Sequence, residues 1–454
     1  METEVIRQVI LTLSIALLAG LLLSRLAKLL KLPAVTAYLV AGIIVGPFLL
    51  GALEFDFFGS AFNHIGFSPA DFGLTGGEKN PAIEIICDVA LGFIAFAIGN
   101  EFRLHELKTI GKQATVIGIL QAVVTTIVVD AALIALSFAM PEVLSPSMAI
   151  ILGAIATATA PAATLMVVRQ YKAKGKLTDL LLPIVALDDA VGLVIFSVSF
   201  SVARALMSGQ LSMISMIVNP LLEVVLSLAL GFIMGVLFTW CEKIFHSGSK
   251  RMSLSITFVL LTVALSKFHV TIGEVSIGFS SLLVCMMLGT VFCNLCDFSA
   301  DIMERADKWS APLFVVFFVL SGAELRLDIL TSAAVVFIGV VYIVSRSLGK
   351  YFGAFGSAKL VGCDPQIQKY LGITLLPQAG VALGMSAIVL QTMGEEGVLV
   401  RNIVLFAVLV YEIFGPVLTK IALTKAGDIK QKTTEGFNRA KFLEEGRHLF
   451  KHRH

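Results

Sequence analysis

Leu187-Asp188-Asp189-Ala190-Val191-Gly192 lies near the middle of an apolar run from Leu180 to Phe200. A helix needs ~20 residues to cross a bilayer, and the run is about that long. One carboxylate at such depth costs at least ~2.5 kcal/mol on insertion scales. Two adjacent ones point to an ion or proton site, although buried acids neutralised by basic neighbours would have the same sequence.

The rest of the composition agrees with a chain embedded in lipid. Of 454 residues, 57% are hydrophobic and 15% charged, with mean hydropathy +0.92. A soluble chain carries roughly 25% charged residues. The first apolar segment lacks a small-residue cleavage site and is followed by more spans, so it reads as a span rather than a leader. The net charge of +2 says little, and no nucleic-acid partner is expected. The six cysteines lie mostly in or beside apolar runs, with no sign of a disulfide framework. Cys293-Asn294-Leu295-Cys296 has C-x-x-C spacing but no second pair or nearby histidine to make a metal centre.

Thirteen apolar segments follow one another, centred near residues 14, 42, 92, 125, 158, 192, 227, 260, 285, 315, 344, 380 and 411. Lys and Arg in short loops mark the inner side of a membrane. Such clusters follow the first span (Arg25, Lys28, Lys31), the third (Arg103, Lys108, Lys112), the fifth (Arg169, Lys172, Lys174, Lys176) and the seventh (Lys243, Lys250, Arg251). The alternate loops are acidic or neutral. The expectation is an outer N-terminus and a cytoplasmic C-terminus, with a short basic tail at 425–454.

The two halves repeat. Gly99-Asn100-Glu101-Phe102-Arg103-Leu104 matches Gly322-Ala323-Glu324-Leu325-Arg326-Leu327 at an offset of 223 residues, from 101 to 324. The same offset carries Asp189 onto Glu412 and Gly192 onto Gly415. By the charge pattern the third span ends inside and the tenth outside, so the repeats are inverted. The predicted organisation is a first repeat at 1–210, a linking span at 211–245 and a second repeat at 246–424. The fold class is an all-α polytopic membrane protein of thirteen transmembrane helices, in two inverted six-helix repeats with crossed, interrupted helices.

The interruptions sit at matching places. One is Ala156-Thr157-Ala158-Thr159-Ala160-Pro161-Ala162-Ala163-Thr164, the other Leu376-Pro377-Gln378-Ala379-Gly380-Val381-Ala382-Leu383-Gly384. Proline removes a helix donor and glycine weakens the helix further. Broken helices at membrane depth are tolerated only beside protein or a wet cavity, and secondary transporters use them to build midplane sites. A plain proline kink explains either segment alone, but not the pair.

Six ionisable residues fall well inside spans: Asp88, Asp130, Asp188, Asp189, Arg346 and Glu412. A buried guanidinium stays protonated and needs an acidic partner. Asp188, Asp189 and Glu412 are the depth-matched candidates to pair with Arg346. Successive helix residues point ~100° apart, so one aspartate can pair while the other faces a cavity. The cavity-facing acid would hold a proton or a hard cation, not both. Oxygens of Thr157 and Thr159 would complete the all-oxygen shell such cations prefer. Glu412, without a paired acid, reads as a structural group, and Asp88 and Asp130 as cavity-lining or capping groups.

These residues resemble the monovalent cation:proton antiporter superfamily, over essentially the whole chain. Asp188-Asp189 is similar to the double-aspartate motif of its sodium/proton antiporter branch, and Thr157–Thr164 to its unwound helix. Phe96-Ala97-Ile98-Gly99-Asn100-Glu101 and Arg346 with Gly349-Lys350 and Gly353 carry the rest of the likeness. The resemblance implies that Asp189 binds the transported cation or proton and that Asp188 pairs with Arg346. It also implies electrogenic exchange, a homodimer and an elevator movement of a core domain. The cation would be Na⁺, or K⁺ or Li⁺, and no cofactor is implied. Two departures stand out: Thr159-Ala160-Pro161 lacks the acid of the electroneutral branch, and several electrogenic members carry a lysine where Arg346 is aligned. No nucleotide-binding domain of the potassium-efflux type is expected after the last span. A sodium-coupled symporter for an organic solute and a channel remain the other classes. The first would need polar or aromatic anchors where the crossing segments offer mostly Ala, Thr and Gly; the second would need a continuous pore.

Overall fold

The computed structural model describes residues 2–30, 33–52, 67, 81–100, 102–160, 164, 167–168, 170–207, 218–245, 247–272, 275–327 and 332–429. Glu101, Pro161, Ala162, Ala163, Arg169, most of the acidic loop at 54–78 and most of the basic tail lie outside these residues, as does the repeat boundary at 210.

Among the described residues fourteen helices are numbered in chain order: α1 (Glu2–Leu30), α2 (Ala34–Val45), α3 (Pro81–Asn100), α4 (Leu104–Ala139), α5 (Pro146–Ile155), α6 (Lys176–Met207), α7 (Asn219–Glu242), α8 (Gly248–Ser266), α9 (Ser281–Leu295), α10 (Ser299–Ala323), α11 (Ala333–Leu360), α12 (Pro365–Thr374), α13 (Gly380–Thr392) and α14 (Gly394–Ala426). Among the described residues nine are long and apolar enough to cross a membrane, and four more, α2, α5, α9 and α13, are apolar but shorter. A small antiparallel hairpin, Val270–Ile272 paired with Val275–Ile277, interrupts the otherwise helical fold between α8 and α9.

Local chemistry sets several of these boundaries. Ser145 caps α5 by accepting from Met148 N at 3.2 Å, with Pro146 at the first helical position where its missing N–H is harmless. Within α4, Gly111 adopts φ +80°, which separates a short leading helix from the long apolar one. At the far end of the chain Gly427 (φ +89°) ends α14. Asp428 then accepts hydrogen bonds from Thr178 N at 2.7 Å and Thr178 Oγ1 at 2.8 Å, and so caps the start of α6.

The helices pack as two groups that cut across the chain halves. α1, α2, α3, α7, α8, α9 and α10 pack chiefly on one another, as do α4, α5, α6, α11, α12, α13 and α14; contacts between the groups are sparse apart from the junction of α6 with α7. Leu18, Leu22 and Leu29 on α1 and Phe232, Ile233 and Trp240 on α7 stay exposed, an apolar surface suited to lipid.

Membrane helices associate through small residues that let backbones approach. The repeat motif supplies them: a Cβ on Gly99 would strike the Met286 carbonyl of α9, and a Cβ on Gly322 would strike the Leu39 carbonyl of α2. Overpacking at such contacts costs ~1–3 kcal/mol. Gly322→Ala is therefore expected to lower the melting temperature of the purified protein, whereas Gly356→Ala, where nothing lies within 4 Å, should not.

Candidate ion site

Both interruptions are present. α5 stops at Ile155, and 156–160 run without helix before helical residues return at 164. α12 stops at Thr374, and 375–379 are non-helical before α13 begins at Gly380. The two breaks meet: Ala160 N donates to the Pro377 carbonyl at 2.9 Å. Gln378 Nε2 donates to the Ile155 carbonyl and to Tyr342 Oη, each at 3.0 Å. Carbonyls orphaned where a helix stops need donors, and at this depth only protein supplies them.

Arg346 is the chief donor. Its Nε reaches the Ala156 carbonyl at 2.9 Å, Nη2 the Ala158 carbonyl at 2.7 Å, and Nη1 the Leu376 carbonyl at 2.7 Å. Its guanidinium carbon lies 4.4 Å from the centre of the Tyr411 ring. One fully buried side chain thus ties both breaks together. The expected pairing of Arg346 with Asp188 is corrected by this geometry. A planar guanidinium with five donors fits several carbonyls at once, and it is committed to them.

Asp188 pairs instead with Lys350, one turn further along α11. Lys350 Nζ lies 2.6 Å from Asp188 Oδ2, and both side chains are fully buried. The same ammonium donates to Gln121 Oε1 and Thr159 Oγ1, each at 3.0 Å, and to the Thr157 carbonyl. Asp188 accepts further hydrogen bonds from Thr159 Oγ1 and from Gln121 Nε2. The carboxylate and ammonium therefore satisfy one another inside a closed polar cluster, as a buried ion pair must.

Asp189 is 1% exposed and lies within electrostatic reach of Lys350. Its helix runs hard against the first break: a Cβ on Gly192 would fall 2.6 Å from Thr157 Oγ1. That hydroxyl donates back to the Ala154 carbonyl at 2.7 Å. Asp188, Asp189, Thr157 and Thr159 are thus gathered at one place, with Arg346 beside them. Glu412 is elsewhere, on α14 against Thr36 of α2 at 3.3 Å. Asp88 pairs with Lys267 at 2.7 Å, and the Asp130 carboxyl sits against Gly153 of α5.

Lys350 and Gln121 were missed as site residues from sequence. Lys350 stands only four residues after Arg346, so the spacing puts both on one face of α11 and cannot say which reaches the acid. Gln121 left a usable signal: an amide inside the apolar stretch Ile117–Val129 has to find partners. A second buried pair also went unread. Arg401 holds Glu324 at 2.9 Å and donates to the Leu383 carbonyl at 2.6 Å. An open cavity of about 480 Å³ lies further along α6, lined by Phe196, Ser201, Arg204, Glu223, Lys267 and His269 among others. It does not include the aspartate pair.

Residues 13–425 match the family described as the transmembrane region of sodium/hydrogen exchangers. The chain belongs to that family. It is accordingly an integral membrane transporter rather than an enzyme. Among solved structures it is similar to the sodium proton antiporter MjNhaP1 from Methanocaldococcus jannaschii at pH 8, with TM-score 0.65 and 20% identity over 92% of this chain and 99% of that one. An electron-microscopy map of the same antiporter gives TM-score 0.61 and 18% identity, over 93% and 99% of the two chains. At these identities the likeness is one of fold. No curated protein sequence matches.

Proposed function

We propose that the protein exchanges a monovalent cation, Na⁺ in the first instance, for protons by alternating access, with both contending for Asp189. One observation carries this reading: Asp188 is fully committed to Lys350, Gln121 and Thr159, so the exchangeable acid of the pair is Asp189. A desolvated carboxylate beside a second acid and two broken helices can take a proton or a bare cation, and binding either one displaces the other. Thr157 and Thr159 oxygens are the nearby ligand candidates once a cation displaces their present partners.

The lysine partner bears on stoichiometry. A guanidinium opposite Asp188 would argue against a second proton per cycle, because arginine does not release its proton. Buried lysines do. Electrogenic exchange, with more than one proton per cation, is therefore part of this reading.

The remaining expectations enter on the same footing. We read the chain as thirteen spans in two inverted repeats (1–210 and 246–424, joined through 211–245), with the N-terminus outside and the C-terminus cytoplasmic. The helix group bearing Asp189 acts as the moving element of an elevator in a homodimer. The sparse contacts between the two helix groups support such a movement.

The test uses purified protein in liposomes holding a preset pH gradient, with Na⁺, K⁺ and Li⁺ added in turn, with and without a voltage clamp. The expected result is collapse of the gradient by Na⁺, with an apparent KM that falls as pH rises because the competing proton is removed. Asp189→Asn is expected to abolish the exchange. Exchange that persists unchanged in Asp189→Asn sinks the site assignment.

A further inference from the structure

Glu412 has no part in the cluster just described, yet it occupies the place in the second half that Asp189 holds in the first, at the offset of 223 residues from 189 to 412. The correspondence extends to packing. Each acid is followed three residues later by a glycine that holds its helix against the break of its own half. A Cβ on Gly192 would meet Thr157 Oγ1 at 2.6 Å, and one on Gly415 would meet Pro377 Cγ at 2.9 Å.

The surroundings of the two acids differ. Glu412 is 1% exposed; its Oε2 accepts from the Thr36 hydroxyl at 3.3 Å, and its Oε1 has no hydrogen-bond partner among the described residues. Among the described residues no cation is paired with Glu412. Arg346 of α11 lies over the adjacent Tyr411 with its N–H groups on three carbonyls, and Lys350 belongs to Asp188. Lys369 of α12 lies 5.5 Å from the Tyr370 ring. α2 brings only Thr36 and Tyr38, and α5 and α13 bring no charged residue; α6 brings Asp188 and Asp189 along its length, with Asp179 in its first turn, Arg204 in its last, and Lys176 at its start paired with Asp364 at 2.8 Å. Thr36 and Glu412 also stand on opposite sides of the division between the two helix groups.

We propose that Glu412 is a second proton-binding group of the transporter, and that its neutral form is the one in which the helix group bearing Asp189 can move past α2. An ionised carboxylate with a single hydroxyl donor is costly in an apolar contact, and sliding it past α2 would strip even that donor. A protonated one crosses as a small polar group. The cation then competes with a proton at Asp189, while a separate proton at Glu412 sets how fast the loaded group moves. This inference rests on the exchange reading above.

The experiment compares wild type, Glu412→Gln and Asp189→Asn as full-length protein in liposomes, with KM and maximal rate measured across pH. Glutamine mimics the neutral acid and keeps the Thr36 contact. Wild type is expected to lose maximal rate on the alkaline side, by up to about tenfold per pH unit as a single group ionises. Glu412→Gln is expected to hold its rate there while its KM keeps the wild-type pH dependence. Superimposable rate profiles for wild type and Glu412→Gln overturn the proposal. So does a Glu412→Gln protein that is inactive yet still stabilised by Na⁺. The infrared band of a protonated carboxylic acid, present in wild type and lost in Glu412→Gln, reads the proton directly; a band unaltered by the substitution also overturns the proposal. Failure of the antiport reading looks different: wild type itself shows no cation-driven proton movement, and the infrared band still decides whether Glu412 holds a proton.

Discussion

Lys350→Ala is expected to abolish exchange and to lower the melting temperature of the purified protein more than any surface substitution. The substitution removes the only cation within 4 Å of Asp188 among the described residues and leaves Gln121, Thr159 and the Thr157 carbonyl without a donor they now share. Breaking a buried pair by deleting one partner costs ~3–5 kcal/mol, because the remaining charge stays buried and uncompensated. The double substitution Lys350→Ala with Asp188→Ala removes that orphaned charge. It should therefore be more stable than Lys350→Ala alone, which is the sign of coupling a double-mutant cycle reads. A Lys350→Ala protein that melts like wild type, or a double variant that loses the sum of the two single effects, would refute the pairing.

Arg346→Ala is expected to destabilise by a different route. It strips three carbonyl groups, those of Ala156, Ala158 and Leu376, of their donor at once. A buried polar group left unsatisfied costs ~1–3 kcal/mol. Amide hydrogen exchange should rise at 156–160 and 375–379, where the guanidinium now joins the breaks. Arg346→Lys should recover little, since one compact ammonium cannot span three carbonyls that a fork reaches together. The discriminating result is the absence of rescue: adding Asp188→Asn to Arg346→Ala should not restore stability, because Arg346 does not neutralise Asp188. Rescue there would return Arg346 to the role the sequence suggested for it.

These two residues mark where reading the sequence stopped. Hydropathy, the paired aspartates and the offset repeat were legible because each is a one-dimensional pattern that the bilayer enforces. Apolar runs of spanning length, acids that do not belong at depth and broken helices at matching places all follow from the absence of water to satisfy charge and backbone. The family was legible only as a resemblance of motifs, and the crossing of the two breaks was implied by their matching places in the halves. So was the gathering of Asp188, Asp189, Thr157 and Thr159 at one place.

Which cation faces which acid was not legible. Arg346 and Lys350 share one face of α11, and Gln121 arrives from a helix more than two hundred residues away in the chain. Only three-dimensional packing decides that the guanidinium meets carbonyls of the breaks and that the ammonium, one turn on, meets Asp188. Side-chain length, donor count and the few ångströms separating a turn of helix choose between two partnerships that the linear spacing leaves equal. The same is true of Glu412: its repeat position was visible in the chain, but its isolation against Thr36 exists only once α2 and α14 are packed together.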